Sequence, residues 1–353
     1  IPTEMQTMRL HLERIEEIKP EKLLNLLEIC LRLRMEDPSL KLTNAFRLFN
    51  GFYEGFPGLT IDRFSQTLLI TEHDPRRATQ PGLHDDIARF YVENLPKLNG
   101  VLLKRRASKA AGERKGIMIF GERPSTSVAE NGVNYALDLQ LNQDASFYPD
   151  TRNLRLWLHQ NLSGASVLNC FAYTGSLGIA ALAGGAREVL QTDLNPHFLA
   201  LAARSQALNS FTGTMKTRSQ DFYPMIAGFK SQSRLLDAVI LDAPLFSQTR
   251  RGKVDLLQNW HRLVNKARPL IAHKGCLVAI NNALFLPGES LMDSVRELTA
   301  DGYLEVIEQI PIPPDVTGYA QSVKTKAPAD PAPFNHPTKI LILRAYRKDG
   351  RRA

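Results

Sequence analysis

The chain has 353 residues, of which 43% are hydrophobic and 23% are charged, and this length favours two or three domains. The composition excludes a collagen-like rod, a coiled coil and a wholly disordered chain, and polar side chains and glycines interrupt the most apolar long window, residues 167–186, too often for a membrane span. Lys and Arg number 44 against 36 Asp and Glu, and the net charge of +8 favours a polyanionic partner wherever the positive charges cluster.

The first segment, residues 1–44, is predicted to be helical. Apolar side chains recur at three- and four-residue steps within residues 5–36, which indicates an amphipathic helix that ends near Asp37. Residues 5–22 lack the apolar stretch of a secretory signal, so we expect a cytoplasmic protein. The chain has 3 cysteines, no CxxC pair and no histidines at ligand spacing, so we expect reduced thiols and no metal site.

The second segment, residues 45–145, is predicted to be a small α+β domain. Aromatic residues alternate with turn glycines between Phe46 and Asp62. Strands are predicted at 67–72, 100–104, 116–120 and 134–139, with a helix at 83–95.

Basic residues form two clusters in the sequence. The larger consists of Lys104, Arg105, Arg106, Lys109, Arg114 and Lys115, and a second short group consists of Arg250, Arg251 and Lys253. The larger cluster is either an ordinary solvated loop or a surface that contacts nucleic acid.

The third segment, residues 146–353, shows the pattern of an α/β domain with a doubly wound parallel sheet, because short β-branched runs alternate with helical stretches. Strands are predicted at 166–170, 188–192, 215–217, 238–241 and 276–280. Helices are predicted at 151–160, 176–183, 196–209, 222–228, 254–272 and 288–300. Two final strands, 304–310 and 339–347, indicate an antiparallel hairpin at the sheet edge. The Pro-rich stretch between them, residues 311–337, is either a lid or a plain connector.

Polar residues follow the first three strands of this segment, where an open α/β sheet binds its ligands. Gly175 allows a tight turn after the first strand, next to free helix N–H groups. Asp193 ends the second strand about 20 residues later, where a carboxylate can accept both hydroxyls of a ribose. Asp221 and Phe222 suit an adenine amino group and ring face, although acids at strand ends are often only caps. The ordered set predicts a nucleoside site, and the absence of GxGxxG argues against a nicotinamide dehydrogenase.

The fourth and fifth strands lead into residues that suit a nucleic-acid base. Residues 242–246, D-A-P-L-F, form an acidic turn whose carboxylate and carbonyl groups can meet a base edge while the Phe246 ring stacks on the base. The alternative is a capping turn with a core phenylalanine. The fifth strand ends in Asn281 and Asn282, whose amides either orient a base or satisfy backbone groups.

Three motifs point to one family. Residues 50–62 match N-G-x-x-x-G-x-P-G-L-x-x-D, residues 147–152 match F-x-x-D-x-R with Asp150 and Arg152 in the matching places, and residues 171–175 read F-A-Y-T-G. In these motifs, and over about residues 45–347, the chain resembles class I S-adenosylmethionine-dependent methyltransferases. The resemblance is most specific to the bacterial 23S rRNA base methyltransferases of the RlmI type and to the RlmK-like (RlmL C-terminal) half of the bifunctional large-subunit enzyme.

The resemblance implies S-adenosylmethionine as cofactor and a base of RNA, most directly large-subunit rRNA, as methyl acceptor. It implies that loop 171–175 holds the methionine part of the cofactor, that Asp193 holds the ribose, and that Asp221 and Phe222 flank the adenine. The complete set of implied cofactor-binding residues is Asp150, Arg152, Phe171, Ala172, Tyr173, Thr174, Gly175, Asp193, Leu194, Asp221, Phe222 and Asp242.

The family also bears on the reaction at the base. Residues predicted to position the base or assist catalysis are Asp242, Pro244, Phe246 and Asn281. Ala243 stands where the family's D-P-P-x-F turn has a proline, so the turn loses part of its rigidity. Relatives that make 5-methylcytosine carry a nucleophilic cysteine after the fifth strand. This chain has asparagines there, as the RlmK-like half does, and Cys276 lies at the start of the strand. Guanine-N7 is therefore favoured as the acceptor atom and cytosine-C5 is disfavoured.

The N-terminal segment departs from the family. RlmI-type enzymes begin with a small β-barrel PUA domain, and residues 1–44 are too short and too helical to form one, so RNA contact is expected from residues 104–115. Two alternatives stay open: a methyltransferase of a small molecule or protein, and a catalytically degenerate RNA-binding assembly factor. The sequence predicts no membrane partner and leaves the oligomeric state open, with a homodimer as one option.

Overall fold

The computed structural model describes residues 20–74, 82–249 and 252–352. The predicted helical residues 5–19 and the basic residues Arg250 and Arg251 lie outside the described residues. The chain divides into two units, Ile1–Asp150 with Pro313–Pro328, and Thr151–Ile312 with Ala329–Ala353. The division thus falls after Asp150 instead of after residue 145, and part of the Pro-rich stretch belongs to the first unit.

The first unit contains a five-stranded sheet. Its strands are β1 (Ala45–Asn50), β2 (Leu59–Phe64), β3 (Thr67–Glu72), β4 (Gly100–Arg105) and β5 (Ile117–Phe120), and a separate hairpin consists of β6 (Ser127–Glu130) and β7 (Val133–Ala136). Its helices are α1 (Pro20–Glu36), α2 (Leu83–Asn94) and α3 (Ala111–Lys115), with single turns at Gly51–Glu54 and Pro314–Thr317. The strand order is β1-β2-β3-β4-β5, and β3 and β4 are parallel whereas the other neighbours are antiparallel.

A buried ion pair anchors the returning segment Pro313–Pro328 in the first unit. The side chains of Arg34 on α1 and Glu54 are fully buried and lie 2.8 Å apart. Arg34 also donates to the carbonyl of Asp315 at 2.9 Å, and the Ser322 hydroxyl donates to Glu54. Removing one partner of such a pair leaves an uncompensated buried charge, which costs about 3–5 kcal/mol. This part of the predicted lid or connector is therefore anchored to the first unit through its buried residues Asp315 and Ser322.

The predicted basic cluster is only partly a surface. Lys104 is completely buried, and its Nζ donates to the carbonyls of Asn142 at 2.9 Å and Asp144 at 2.6 Å. Burial lowers the pKa of Lys104 to about 8. Lys109 and Lys115 are exposed. A nucleic-acid partner can therefore reach the two outer lysines but not Lys104.

Replacing Lys104 by methionine is expected to flatten the pH dependence of stability on the alkaline side. The unfolded state binds the lysine proton up to a pH near 10.5, whereas the folded state loses it near pH 8. Between these values the unfolded state binds more protons, so stability rises with pH. Urea unfolding at pH 8 and pH 10 should show the wild type gaining about 2 kcal/mol relative to Lys104→Met. Lys109→Met, at an exposed position, is the control; parallel profiles for the wild type and Lys104→Met would contradict the lowered pKa.

The second unit contains a seven-stranded sheet. Its strands, together with those of a small hairpin, are β8 (Ser166–Cys170), β9 (Glu188–Asp193), β10 (Thr214–Ser219), β11 (Leu236–Leu241), β12 (Phe246–Thr249), β13 (Gly252–Asp255), β14 (Ile271–Asn281), β15 (Leu304–Gln309) and β16 (Lys339–Ala345). Its helices are α4 (Arg152–Asn161), α5 (Ser176–Ala183), α6 (Pro196–Ala207), α7 (Phe222–Ser231), α8 (Trp260–Ala267) and α9 (Gly288–Thr299). The sheet order is β10-β9-β8-β11-β14-β16-β15, and β12 pairs only with β13.

The predicted architecture of the second unit is confirmed. Strands β10, β9, β8, β11 and β14 are parallel, and β16 runs antiparallel to both β14 and β15. All residues of β8 are buried, as is typical of a parallel strand covered on both faces. The apolar window at residues 167–186 forms β8 and α5, and α5 is itself largely buried. Among the described residues, no helix has both the length and the apolar character to cross a bilayer.

The predicted helix at residues 254–272 is wrong at its beginning and its end. Val254 lies in β13 and pairs with Ser247 of β12, and α8 begins only at Trp260. The following strand, β14, already begins at Ile271. Apolar residues recur at helical spacing through the whole stretch, so periodicity alone favours one long helix. The pairing of β13 with β12 overrides that local preference.

Candidate active site

The polar residues that follow the parallel strands meet at one edge of the second unit's sheet. Cys170, the last residue of β8, pairs with Thr192 on one side and with Leu241 on the other, and Leu241 pairs with Ala279 of β14. The carboxyl ends of β8, β9, β11 and β14 are therefore level with one another. This edge is where an open α/β sheet binds its ligands.

The loop after β8 is a preformed turn. Phe171 and Tyr173 have φ angles of 55° and 50°, a left-handed conformation that costs a non-glycine residue about 1–3 kcal/mol, and Gly175 has φ 80°. Ala172 and Thr174, which alternate with these three residues, are buried. The Ala172 N–H donates to the carbonyl of Thr192 on β9 at 2.8 Å. The strained backbone is thus held by the fold itself, as expected for a turn that fits closely around a ligand.

A buried glutamine that the sequence reasoning missed supports this turn. Gln191 on β9 is fully buried, its Nε2 donates to the carbonyl of Gly175 at 2.9 Å, and its Oε1 accepts from Asn169 at 2.7 Å. A Cβ added at Gly175 would lie 2.7 Å from Nε2 of Gln191, and one added at Gly178 would lie 2.5 Å from it. The close packing of Gln191 therefore disfavours a side chain at either glycine, and Ala202 adds to this at Gly175, where its Cβ would lie 2.5 Å away. The available signal was an uncharged polar residue in the middle of a predicted buried strand.

Substituting Gln191 by methionine should loosen the loop without changing the core volume much. The carbonyl of Gly175 and the amide of Asn169 would lose their partners, and each unpaired buried group costs about 1–3 kcal/mol. We expect the dissociation constant of a ligand held by this loop to rise about tenfold, which calorimetry with S-adenosylhomocysteine would measure. Gln232→Met, at an exposed position, is the control; an unchanged dissociation constant in Gln191→Met would show that the loop does not depend on this glutamine.

Asp193 is oriented by the backbone at the end of β9. One carboxylate oxygen accepts the Tyr173 N–H and the other accepts the Asn195 N–H, both at 2.9 Å. A carboxylate has about four acceptor sites, so each oxygen retains capacity for another donor. Leu194 follows with 56% of its side chain exposed. The strand end thus presents two oriented acceptors beside an apolar surface, an arrangement suited to a ribose.

Asp221 and Phe222 take partly structural roles. Asp221 caps α7 by accepting the Tyr223 N–H at 2.9 Å, so the capping alternative weighed above applies to one of its oxygens. Phe222 is 6% exposed and stacks on Phe171 with ring centroids 5.0 Å apart. The Phe222 ring therefore belongs to the core, and the Phe171 ring covers it on the loop side.

The hairpin β12–β13 covers the cavity at the ends of β9 and β10. Ser247, Gly252 and Val254 line this cavity opposite Asp193, Leu194, Asp221, Phe222 and Phe171. The Tyr223 hydroxyl donates to the carbonyl of Lys253 at 2.6 Å, and a Cβ added at Gly252 would lie 2.1 Å from the Tyr223 ring. The cavity has a volume of about 20 Å³, which is room for about one water. A nucleoside therefore needs the hairpin or the Phe171 ring to shift.

The turn after β11 presents both a carboxylate and a ring. Asp242 is half-buried, Ala243 is buried and Pro244 is exposed. Phe246 opens β12 with 41% of its side chain exposed, and Nζ of Lys253 lies 5.2 Å from its ring centroid. Phe246 is thus an accessible aromatic side chain and not a core residue.

The Asn281 side chain is enclosed by the protein at the end of β14. Its side chain is completely buried, its Nδ2 donates to the carbonyl of Leu256 at 3.2 Å, and its Oδ1 accepts the Ala283 N–H at 3.0 Å. Of the two roles left open by the sequence, the Asn281 amide satisfies backbone groups. The role of Asn281 in catalysis stays a prediction, although one N–H and one oxygen lone pair of its amide are already engaged within the protein.

Residues of the F-x-x-D-x-R motif lie on both sides of the division between the units. Asp150 ends the main segment of the first unit, whereas Arg152 begins α4 in the second and is 4% exposed. Arg155, one turn further along α4, is 1% exposed, and its Nη1 donates to the hydroxyl of Thr151 at 2.7 Å. Arg155 was not predicted, although its spacing from Arg152 places both on one face of the helix.

All three cysteines of the chain lie within the described residues and are poor nucleophiles. Burial raises the pKa of Cys276, on β14, and of Cys30, in the first unit, to about 12. Burial also raises the pKa of Cys170, which is completely buried at the end of β8. Neither the turn after β11, residues 242–245, nor the loop after β14, residues 282–287, contains a cysteine.

Comparisons with known proteins identify chains that are similar to this one. A family model described as S-adenosylmethionine-dependent methyltransferase matches residues 102–326. The chain is 26% identical over 271 residues to the ribosomal RNA large subunit methyltransferase I of Yersinia pseudotuberculosis and that of Yersinia pestis, a match that covers 74% of this chain. It covers 66% of each relative, so the chain spans slightly less than two thirds of their length.

Solved structures show a similar fold. The crystal structure of SMU.776 complexed with SAH superposes with a TM-score of 0.80 at 19% identity, covering 94% of this chain and 83% of that one. The structure of aTrm5 in complex with tRNALeu superposes with a TM-score of 0.51 at 18% identity, covering 79% of this chain and 70% of that one. At these identities the likeness concerns the fold.

Proposed function

The chain belongs to the family of S-adenosylmethionine-dependent methyltransferases, and from this premise we propose that it transfers a methyl group to a base of RNA, most directly large-subunit rRNA. The choice of RNA is supported by the curated relatives, whose shared name is ribosomal RNA large subunit methyltransferase I. The choice of site rests on one observation, the Asp193 carboxylate oriented by two backbone N–H groups at the end of β9.

The residues at this edge fit the cofactor by their chemistry. Asp193 retains acceptor capacity for two ribose hydroxyls, and Leu194 and Phe171 offer apolar surface to an adenine. The positive φ values of loop 171–175 allow its backbone to approach a ligand closely. When bound, S-adenosylmethionine supplies a methyl group activated by its positively charged sulfur.

The residues after β11 would then hold the base. The Asp242 carboxylate can accept N–H groups from a base edge, and the exposed ring of Phe246 can stack on a base face. Pro244 restricts the turn between them. These residues would contribute by orienting the acceptor nitrogen and by excluding water, because methylation at N7 of guanine removes no proton.

Guanine-N7 is our preferred acceptor atom and cytosine-C5 is disfavoured. Attack at cytosine-C5 requires a thiolate near the base, since C6 must first be activated by a nucleophile. Cys30 and Cys170 are buried, Cys276 is half-buried, and the raised pKa values of all three thiols mean that none supplies a thiolate. A guanine N7 carries its own lone pair and needs no covalent activation.

The first unit would supply part of the RNA contact. Lys109 precedes the short helix α3 and Lys115 ends it, and both are exposed, whereas Arg106 is paired with Asp144 at 2.9 Å. Phosphate contacts by such lysines are sequence-independent and weaken as the salt concentration rises. An RNA substrate made in the cytoplasm also supports a cytoplasmic location.

Transfer of radiolabel from methyl-labelled S-adenosylmethionine tests the substrate class. Purified protein would be incubated separately with RNA, protein and small-molecule fractions from cells that lack the gene. We expect label in the RNA fraction, less label at high salt, and less label with the double variant Lys109→Glu, Lys115→Glu. Label confined to the protein or small-molecule fraction would overturn the proposal, and cofactor binding without transfer to any fraction would indicate a binding factor.

A further inference from the structure

The loop after β14 carries an amide oxygen that the protein leaves unpaired. Asn282 is half-buried, and its Oδ1 is shut off from solvent with no hydrogen-bond partner among the described residues. Native proteins pair nearly all such acceptors, because burying one without a donor is destabilising. The unpaired oxygen lies at the carboxyl end of the sheet, where a ligand can bring the missing donor.

The neighbours of Asn282 fix its position. Asn281 accepts the Ala283 N–H at 3.0 Å and so closes the backbone around Asn282. The buried Nζ of Lys339, on the strand paired with β14, donates to the carbonyl of Ala283 at 3.1 Å. The Asn282 amide is therefore held in place by a loop anchored from both sides, and a ligand donor would reach its oxygen once the groups that cover it shift.

The strand order indicates which part of a bound guanine would face Asn282. The cofactor residues follow β8, β9 and β10, the base-positioning turn follows β11, and β14 lies beyond β11. The 2-amino group of guanine lies on the opposite edge of the base from N7. A guanine that turns N7 towards the cofactor strands therefore turns its 2-amino group towards β14.

We propose that Asn282 determines specificity by accepting a hydrogen bond from the 2-amino group of the target guanine through Oδ1. This inference rests on the proposed function and adds the means by which guanine is selected. Adenine, cytosine and uracil have no amino group at this position. A site built to pair a buried polar atom rejects a ligand that cannot provide the partner.

The proposal is tested by changing the side chain of Asn282 and the target base, singly and together. The substrate would be an RNA fragment containing the nucleotide methylated by the wild type, made with either guanosine or inosine, which lacks only the 2-amino group. We expect the kcat/KM of the wild type to fall roughly tenfold on inosine. Asn282→Leu should lose roughly tenfold on guanosine and treat the two bases alike. Asn282→Asp keeps an acceptor and should retain the preference, and Asn161→Leu, at an exposed position, should behave as wild type.

The inference would be overturned if the effect of changing Asn282 and the effect of removing the 2-amino group were independent of each other. If Asn282→Leu still loses tenfold when guanosine is replaced by inosine, the side chain does not contact the 2-amino group. The inference also fails if Asn282→Asp treats the two bases alike, or if Asn282→Leu weakens S-adenosylhomocysteine binding as much as it weakens turnover. In each case the wild type can still form 7-methylguanosine, so these failures are distinct from a failure of the proposed function.

Discussion

Replacing Asp193 by alanine is expected to weaken S-adenosylmethionine binding by about 100- to 1,000-fold. The carboxylate would accept two ribose hydroxyls, and each hydrogen bond to a charged group contributes about 1.5–3 kcal/mol. The two backbone N–H groups that now orient it, from Tyr173 and Asn195, would lose their acceptor as well. Isothermal titration calorimetry with S-adenosylmethionine measures the change directly.

Further variants separate the contribution of the Asp193 charge to cofactor binding from that of its side-chain shape. Asp193→Asn keeps one acceptor oxygen and should lie between the wild type and Asp193→Ala in affinity. Asp293→Ala, on the exposed face of α9, should bind like the wild type. An Asp193→Ala protein that binds the cofactor as tightly as the wild type would remove this carboxylate from the cofactor site.

Asp242→Ala should have the opposite profile, with cofactor binding retained and turnover reduced by about 100- to 1,000-fold. Removing one preorganised group that holds the reacting partner typically costs enzymes about this much in kcat. Asp242 follows β11, whereas the carboxylate expected to hold the ribose follows β9, so the two changes act at different parts of the site. Single-turnover measurement of methyl transfer, beside calorimetry on the same preparation, separates binding from reaction.

Two controls sharpen the result for Asp242. Asp242→Asn preserves the shape and one acceptor, and should recover part of the rate. Asp301→Ala alters an exposed acid paired with Arg268 and should leave the rate unchanged. Undiminished turnover in Asp242→Ala would exclude this residue from the mechanism, and lost cofactor binding would move it to the cofactor site alone.

The local pattern of apolar residues was sufficient to predict the bounds of an element where that element is buried on both faces. The predicted bounds of β8 and α5 equal those observed, because a short, mostly apolar strand and an apolar helix separated by a glycine turn leave little choice of register. The position of Asp193 could be predicted for the same reason, since it directly ends a buried strand. In such places the sequence and the packing favour the same structure.

The hairpin β12–β13 could not be predicted, because its strands pair only with each other and its apolar residues also fit a helix. This hairpin covers the cavity beside Asp193, so the missed element is part of the site. Its contact with Tyr223 depends on tertiary structure that no local pattern contains.

Burial separates residues that look alike in sequence. Lys104 belongs to a basic run but is buried against two carbonyls, whereas Lys109 in the same run is exposed. Asn281 and Asn282 are adjacent, yet the amide of the first bonds to backbone groups at both its nitrogen and its oxygen, and the oxygen of the second has no partner among the described residues. Such differences arise from long-range packing, and a single sequence carries no record of it.

The central claim is methylation of an RNA guanine at N7, and identification of the labelled nucleoside tests it most directly. RNA from cells that lack the gene would be treated with purified protein and methyl-labelled S-adenosylmethionine, digested to nucleosides and analysed by mass spectrometry. The account predicts label in 7-methylguanosine. Label in 5-methylcytidine would contradict it, because it would require a nucleophile that the three cysteines, with their raised pKa values, do not provide.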